Sequence, residues 1–128
     1  MILVDCSVLV DHFRKKDPKL AKQLVSLPIG ICGSTRSETL AGARTAKERG
    51  SVTATINALQ QAFTPETIWD ALGDNLAILK SKGVNVPFPD VLLASIGIHH
   101  DLEVWARDQH FPLMQKHLPR LRLFQEPP

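Results

Sequence analysis

The feature that most constrains the fold of this 128-residue sequence is the alternation of short apolar runs with longer segments of helical periodicity. Apolar runs at 2–5, 29–32, 103–106 and 121–124 predict strands. Because strands that alternate with helices favour parallel pairing, the sequence predicts an α/β fold with a central, mostly parallel sheet of four to five strands flanked by helices.

The segments between these runs carry apolar residues at helical spacing. Helices are expected at 7–16, 18–27, 34–50, 51–62, 66–82 and 90–98, with a turn and a short helix at 108–117. Gly83 is expected to close the helix before it. The segment 90–98 is apolar or small at nearly every position, so this helix is expected to lie inside the domain against the sheet.

Length and composition limit the class of protein. A chain of 128 residues that is 44% apolar predicts one domain, spanning residues 1–128. The net charge of +2 is too balanced for a protein that is basic over its whole surface. Cys6 and Cys32 are expected to be buried, reduced thiols. With no signal segment and no apolar stretch of membrane-spanning length, a cytoplasmic protein without a membrane partner is expected.

Four acidic residues stand out by their positions, namely Asp5, Glu38, Asp90 and Asp108. Each has a structural explanation of its own. Asp5 and Asp90 fit helix starts, the segment from Thr35 to Glu38 fits a capping box, and Asp108 fits a turn. A helix N-terminus stabilises a carboxylate by roughly 0.3–1 kcal/mol, so one acid alone predicts nothing about chemistry.

The joint pattern of the acids is more informative. Asp5, Asp90 and Asp108 fall at or near the strand-to-helix edge of the expected sheet, where open α/β folds bind ligands. Two carboxylates about 4 Å apart repel by roughly 4 kcal/mol at an effective dielectric near 20, and a divalent cation removes that repulsion. An oxygen-rich set without a cysteine cluster favours Mg²⁺ or Mn²⁺ over Zn²⁺.

Four sequence blocks resemble, in order and spacing, those of PIN-domain ribonucleases, and of the VapC-type toxins of toxin-antitoxin pairs in particular. They are Val-Asp-Cys-Ser-Val-Leu-Val-Asp at 4–11, Ser-Glu-Thr-Leu-Ala-Gly at 37–42, Pro-Phe-Pro-Asp-Val-Leu-Leu-Ala at 87–94 and Trp-Ala-Arg-Asp-Gln-His-Phe at 105–111. The resemblance covers essentially the whole chain, and its specificity lies in the ordered set of blocks.

The resemblance implies a Mg²⁺- or Mn²⁺-dependent endoribonuclease that acts on structured RNA, forms a homodimer and is neutralised by a cognate antitoxin. It implies that Asp5, Glu38, Asp90 and Asp108 form the catalytic metal site. Ser7 is interpreted either as a residue that orients a carboxylate or a phosphate, or as a helix cap. The sequence departs from the usual pattern at three positions, Cys6, Ala106 and His110. His110 is expected to be simply exposed.

RNA has to be attracted to this acidic region by local positive charge. Arg36 and Arg107 are the foremost candidates, because they lie closest in sequence to the acids. Further candidates are Arg14, Lys15, Lys16, Arg44, Lys47 and Arg49. For the antitoxin, an apolar groove formed by the helices at 7–16 and 34–62 is the first place to consider. Trp69 is expected to be partly buried, although a partner surface could use it.

Two other classes of protein remain open. A catalytically inactive PIN-like module that binds RNA or protein would explain the hydroxyls absent at Cys6 and Ala106. A phosphatase of the haloacid dehalogenase type needs a second aspartate two residues after the first, where this chain has Ser7. A DNA substrate is harder to exclude, because metal-assisted attack on a phosphodiester does not require a 2′-hydroxyl.

Overall fold

The computed structural model describes residues 1–127 and contains a five-stranded sheet in which every neighbouring pair is parallel. The strands are β1 (Ile2–Val4), β2 (Ile29–Cys32), β3 (Gln60–Ala62), β4 (Glu103–Trp105) and β5 (Arg122–Leu123). Their order across the sheet is β3-β2-β1-β4-β5. The predicted fold class is confirmed.

Seven helices surround the sheet in the described part of the chain. They are α1 (Cys6–Lys15), α2 (Pro18–Ser26), α3 (Gly33–Ala41), α4 (Ala46–Asn57), α5 (Ile68–Ser81), α6 (Phe88–His100) and α7 (His110–Gln115). As expected, Gly83 follows α5 in the left-handed region with a φ of 70°, and the nitrogen of Val84 donates to the carbonyl of Leu79. This is a common way to close a helix.

The region between β2 and α5 was predicted incorrectly. Instead of helices at 34–50 and 51–62, the chain breaks at 42–45 and α4 runs through Gly50. The break is stabilised by a capping box: the Thr45 hydroxyl accepts from the Glu48 nitrogen at 3.1 Å, and the Glu48 carboxylate accepts from the Arg44 nitrogen at 2.7 Å.

The strand β3 is a second difference, because the sequence predicts the end of a helix at residues 60–62. Gln60 and Gln61 are exposed and Ala62 is half-buried, so the strand has no apolar pattern. It lies at the edge of the sheet and pairs with β2 along its whole length. This strand is therefore specified by backbone pairing with the buried strand β2 and not by a pattern of apolar residues.

The core lies on both faces of the sheet. In β1, Leu3 packs into a cluster with α5, α6 and α7, whereas Ile2 and Val4 pack into a second cluster with α1, α2 and α4. In β4, Val104 and Trp105 divide between the two clusters in the same way. A strand covered on both faces has to be apolar at every position, which explains the continuous apolar runs of the sequence.

Helix α6 is the central helix of the domain. Eight consecutive residues from Asp90 to Gly97 are buried, as the lack of a polar face predicted. A Cβ atom at Gly97 would lie 2.7 Å from the Cγ2 atom of Val104 and 3.3 Å from the Leu102 carbonyl oxygen, so a larger residue would push the helix away from β4. Among residues 1–127, no helix has both the length and the apolar character needed to cross a membrane.

Candidate metal centre

The four predicted acids follow or precede strands at one edge of the sheet. Asp5 comes directly after β1, Glu38 lies in α3 after β2, and Asp108 follows β4. Asp90 lies in the first turn of α6, the helix that leads into β4. Because all strands are parallel, their carboxyl ends lie at the same edge of the sheet. Ligands bind at this edge in open α/β folds.

Asp5 is buried and is held by Ser7. Its side chain caps α1, since the Oδ2 atom accepts from the Ser7 nitrogen at 3.0 Å and from the Ser7 hydroxyl at 2.6 Å. The Ser7 oxygen in turn accepts from the backbone nitrogen of Arg107 at 2.9 Å. Ser7 therefore links the loop after β4 to the Asp5 carboxylate and fixes its orientation.

Asp90 and Asp108 meet at the side chain of His110. The Nδ1 atom of His110 lies 2.8 Å from the Oδ2 atom of Asp90 and 3.0 Å from the Oδ1 atom of Asp108. The Asp108 carboxylate also accepts from the backbone nitrogen of His110 at 2.9 Å, which closes a short turn at the start of α7. One ligand atom from each of the three residues lies within 4.8 Å of the others.

Glu38 lies beside this group on an exposed part of α3. Its pKa is raised by partial burial and by repulsion from the carboxylates of Asp5 and Asp90. The half-buried Cys6 thiol, which accepts a hydrogen bond from the Thr39 hydroxyl at 3.6 Å, lies within range of the same three carboxylates. Burial, followed by these carboxylates, raises the pKa of Cys6 and keeps it a neutral thiol.

Electrostatic repulsion within the group is only partly compensated. The pKa of Asp90 is raised, first by burial and then by repulsion from Asp5 and Asp108, in spite of the hydrogen bond with His110. A group of four partly buried carboxylates that repel one another is typical of a cation-binding site. Their oxygen-rich donor set fits a divalent ion such as Mg²⁺ or Mn²⁺.

The two arginines predicted to bind RNA both have protein partners. Arg107 pairs with Glu126 through two hydrogen bonds of 3.0 and 2.7 Å and with Asp11 at 3.0 Å. These contacts raise the pKa of Arg107 and lower that of Glu126. Arg36 donates to the Asn57 side chain at 2.6 Å, and its guanidinium meets no carboxylate within salt-bridge range in the described chain.

The structure thus brings the four predicted acids close enough to repel one another, but not all of them are equally close. Asp90 and Asp108 belong to the tight group, whereas Asp5 and Glu38 interact with it over longer range. His110 was expected to be simply exposed; its side chain is 37% exposed and contacts two of the acids. The sequence signal for the contact with Asp108 is the position of His110 two residues after that acid, where a turn brings the two residues together.

Comparison with known proteins supports the resemblance seen in the sequence. No protein-family model matches the chain. Ribonuclease VapC21 of Mycobacterium tuberculosis is 31% identical over 83 residues, which is 62% of this chain and 60% of that protein. The chain therefore spans about three fifths of the length of the curated relative it matches.

Solved structures share the fold over nearly the full chain. A chain of the VapBC2 complex of Rickettsia felis, bound to a promoter DNA fragment, has a TM-score of 0.80 at 17% identity and covers 99% of this chain and 100% of its own. VapBC-1 of nontypeable Haemophilus influenzae gives 0.81 at 13% identity, with 98% of both chains covered.

VapC20 of Mycobacterium tuberculosis, described as a Sarcin-Ricin loop cleaving toxin, gives a TM-score of 0.71 at 13% identity. The alignment covers 88% of this chain and 94% of that one. At these identities, the solved structures establish the fold. Together with the partial sequence match, they confirm the resemblance to VapC-type PIN-domain toxins.

Proposed function

We propose that this chain, which resembles the VapC-type PIN domains in fold and sequence, is a metal-dependent endoribonuclease of a toxin-antitoxin pair. Its substrate would be structured RNA, and its cofactor Mg²⁺ or Mn²⁺. The observation that carries the proposal is the convergence of Asp5, Glu38, Asp90 and Asp108, in which burial and mutual repulsion raise the pKa of both Asp90 and Glu38.

The roles of the residues follow from their contacts. Asp90 and Asp108 would hold the metal ion, and Asp5, oriented by Ser7, would complete the set. Glu38 would accept a proton from, or orient, a water at the exposed side. A divalent ion bound among them supplies an acidified water and a countercharge for the scissile phosphate.

The decisive test is cleavage of total RNA by the purified chain in Mn²⁺ and in Mg²⁺, with the cut ends mapped. EDTA is expected to stop cleavage. The variant Asp5→Asn keeps an oxygen for the α1 cap but removes a ligand charge. We therefore expect its activity to fall by at least about a hundredfold, equivalent to about 2.7 kcal/mol of transition-state stabilisation.

The matched control is Asp74→Asn, which neutralises an exposed acid on α5 outside the cluster. This variant should cleave like the wild-type chain. Full activity of Asp5→Asn, or wild-type activity that persists in EDTA, would contradict a metal-dependent mechanism. Binding of RNA without cleavage in either ion would favour the alternative, a catalytically inactive PIN-like module.

For RNA binding, Arg36 is the stronger of the two predicted arginines, because the charge of Arg107 is already met by Asp11 and Glu126. Arg36 lies on α3, two residues before Glu38. The variant Arg36→Gln is expected to weaken RNA binding at low salt and to reduce the salt dependence of binding. Arg120→Gln, which removes an exposed charge just before β5, provides the comparison.

The proposed antitoxin would bind in the cleft between α1, α3 and α4, which includes both regions singled out in the sequence. This cleft has a volume of about 560 Å³, and Val10, Phe13, Ala43 and Val52 line it. Arg14, Arg44 and Glu48 also line it. An apolar cleft with charged groups suits a short amphipathic segment. Ala43→Glu is expected to weaken capture of a co-expressed antitoxin while cleavage is retained.

The proposal also includes a second copy of the chain and a cytoplasmic location. Trp69 was expected to be partly buried, but it is 53% exposed, and Phe63 is 85% exposed. Exposed apolar side chains of this size are candidates for a contact with a second copy. A dimer mass in light scattering that falls to the monomer mass in Trp69→Glu would support a homodimer through this region.

A further inference from the structure

His110 occupies a position that the predicted set of acids does not use. It is the first residue of α7, and the hydrogen bond from its own backbone nitrogen to Asp108 holds it over the cluster. Its Nδ1 atom, and not the outer edge of the ring, faces the carboxylates. One imidazole nitrogen therefore lies in the same small cluster as the carboxylate oxygens of two candidate metal ligands.

The spacing of these three donors suits coordination of one ion. In an octahedral complex with bonds of about 2.1 Å, neighbouring ligand atoms are roughly 3 Å apart. The Nδ1 atom lies 2.8 Å from Asp90 Oδ2 and 3.0 Å from Asp108 Oδ1. These two separations match the distance between neighbouring ligand atoms in an octahedral shell, with one nitrogen and two oxygens as the ligands.

We propose that Nδ1 of His110 is a ligand of the metal ion and makes the site selective for first-row transition dications over Mg²⁺. The proposal rests on the metal site of the proposed function and deepens it. Imidazole nitrogen adds affinity along the series that begins with Mn²⁺ and Fe²⁺, whereas Mg²⁺ takes oxygen ligands and keeps its waters. An aspartate at this position would give an all-oxygen site instead.

A competing role for His110 is that of a countercharge, in which a protonated ring takes the place of the cation between Asp90 and Asp108. The two roles give opposite results when the ring is removed. A ligand contributes affinity that is lost, and lost more for Mn²⁺ than for Mg²⁺. A countercharge competes with the ion, so removing it would strengthen the binding of both ions equally.

The test measures metal binding and not cleavage. Calorimetric titrations with Mn²⁺ and with Mg²⁺ are carried out on the wild-type chain, on His110→Asp and on the control His99→Asp, which places the same charge on an exposed histidine of α6. We expect His110→Asp to reduce the ratio of Mn²⁺ to Mg²⁺ affinity by at least about tenfold, the lower end of the effect seen when groups around a metal are changed. His99→Asp should leave the ratio unchanged.

Electron spin-echo spectroscopy of the bound Mn²⁺ gives a second readout that needs no variant. The wild-type chain and His99→Asp should show modulation from a directly coordinated nitrogen, and His110→Asp should lose it. If Mn²⁺ binds without nitrogen modulation, or if the affinity ratio is the same in all three proteins, the ligand role is wrong while the metal site stands. If neither ion binds the wild-type chain, the proposed function and this inference both fail.

Discussion

Two groups of carboxylates lie near the same edge of the sheet, and they differ in how their charge is met. Asp11 and Glu126 share the guanidinium of Arg107, and the pKa of each is lowered. The group around Asp90 has one histidine and no arginine or lysine within salt-bridge range in the part of the chain described. There the pKa of Asp90 is raised, first by burial.

The difference separates structural charges from functional ones. A carboxylate whose charge is neutralised by a neighbouring guanidinium stabilises the folded chain and is not available to a ligand. Carboxylates gathered without such a partner cost folding free energy unless a cation is supplied from solution. We therefore propose the under-compensated group as the metal site. The Arg107 group supports it through the backbone nitrogen of Arg107, which donates to the Ser7 hydroxyl oxygen.

The largest expected difference between the two groups is in catalysis. Asp90→Asn removes a ligand charge and should reduce RNA cleavage by at least about a hundredfold, since a bound metal supplies several kcal/mol to the transition state. Glu126→Gln changes a more exposed carboxylate in the other group, and we expect it to retain cleavage within a few-fold. If both variants lose the same fraction of the initial cleavage rate, the two groups of carboxylates do not differ in function.

Metal-dependent stability is the next largest effect. At a Mn²⁺ concentration of about 100 times Kd, an ion that binds only the folded chain stabilises it by roughly 2.7 kcal/mol. Thermal unfolding should show this increase in the wild-type chain and in Glu126→Gln, but not in Asp90→Asn. Without metal, Asp90→Asn should be at least as stable as the wild type, because repulsion is relieved.

Glu126→Gln, by contrast, should unfold at a lower temperature with and without Mn²⁺, by the ~0.2–1 kcal/mol typical of partly exposed ion pairs. A Mn²⁺ effect of the same size in all three proteins would mean that the ion binds elsewhere. A fall in the melting temperature of metal-free Asp90→Asn would mean that Asp90 acts mainly as a structural residue in the first turn of α6.

The pH dependence of stability should have opposite signs in the two groups. The pKa values of Asp11 and Glu126 are lowered by hydrogen bonds from Arg107, so their stabilising contribution is present at neutral pH and is lost as the pH falls through their folded-state pKa. Ionised Asp90 is disfavoured in the metal-free fold, so its penalty is present at neutral pH and is relieved on acidification.

Urea unfolding of the metal-free proteins between about pH 7 and pH 3 measures both effects. The stability deficit of Glu126→Gln relative to the wild type should disappear towards low pH. Asp90→Asn should be more stable than the wild type at neutral pH, and this excess stability should also disappear as the pH falls. Curves that differ from the wild type by a constant amount at every pH would contradict the charge argument for that residue.

The smallest expected effect concerns the Cys6 thiol. Burial is the main cause of its raised pKa, and the carboxylates of Glu38, Asp5 and Asp90 add to it. Alkylation of Cys6 at neutral pH should be slow, and Mn²⁺ should speed it modestly by offsetting those carboxylates. Cys6→Ser supplies the background from the buried Cys32. A rate that Mn²⁺ leaves unchanged would place the ion outside the reach of these charges.

Most of the fold could be predicted because its signals are local. The strands β1 and β2 are buried at every position, and α5 and α6 show one-sided and all-round apolar patterns that the core confirms. The break between α3 and α4 also has a local signal, since Thr45 is followed three residues later by Glu48, but the helix prediction over 34–50 did not use it. The edge strand β3 had none, since its pairing with β2 is a tertiary contact.

The candidate site divides in the same way. The positions of Asp5, Glu38, Asp90 and Asp108 beside strands were readable, because parallel strands bring their ends to one edge. The pairing of Arg107 with Glu126, 19 residues further on, was not readable, since it depends on how the chain end returns over β4. The contact of His110 with Asp90 depends on the packing of α7 against α6 and was not visible either.

The central claim is that the acids around Asp90 form a site for a divalent cation. A crystal of the full chain grown with Mn²⁺, with anomalous data collected at the manganese edge, tests it most directly. We expect an anomalous peak within coordination distance of Asp90 and Asp108, with Asp5 in its surroundings. A Mn²⁺-saturated crystal in which this position is empty, or in which the side chains of Asp90 and Asp108 remain bound to protein groups alone, would contradict it.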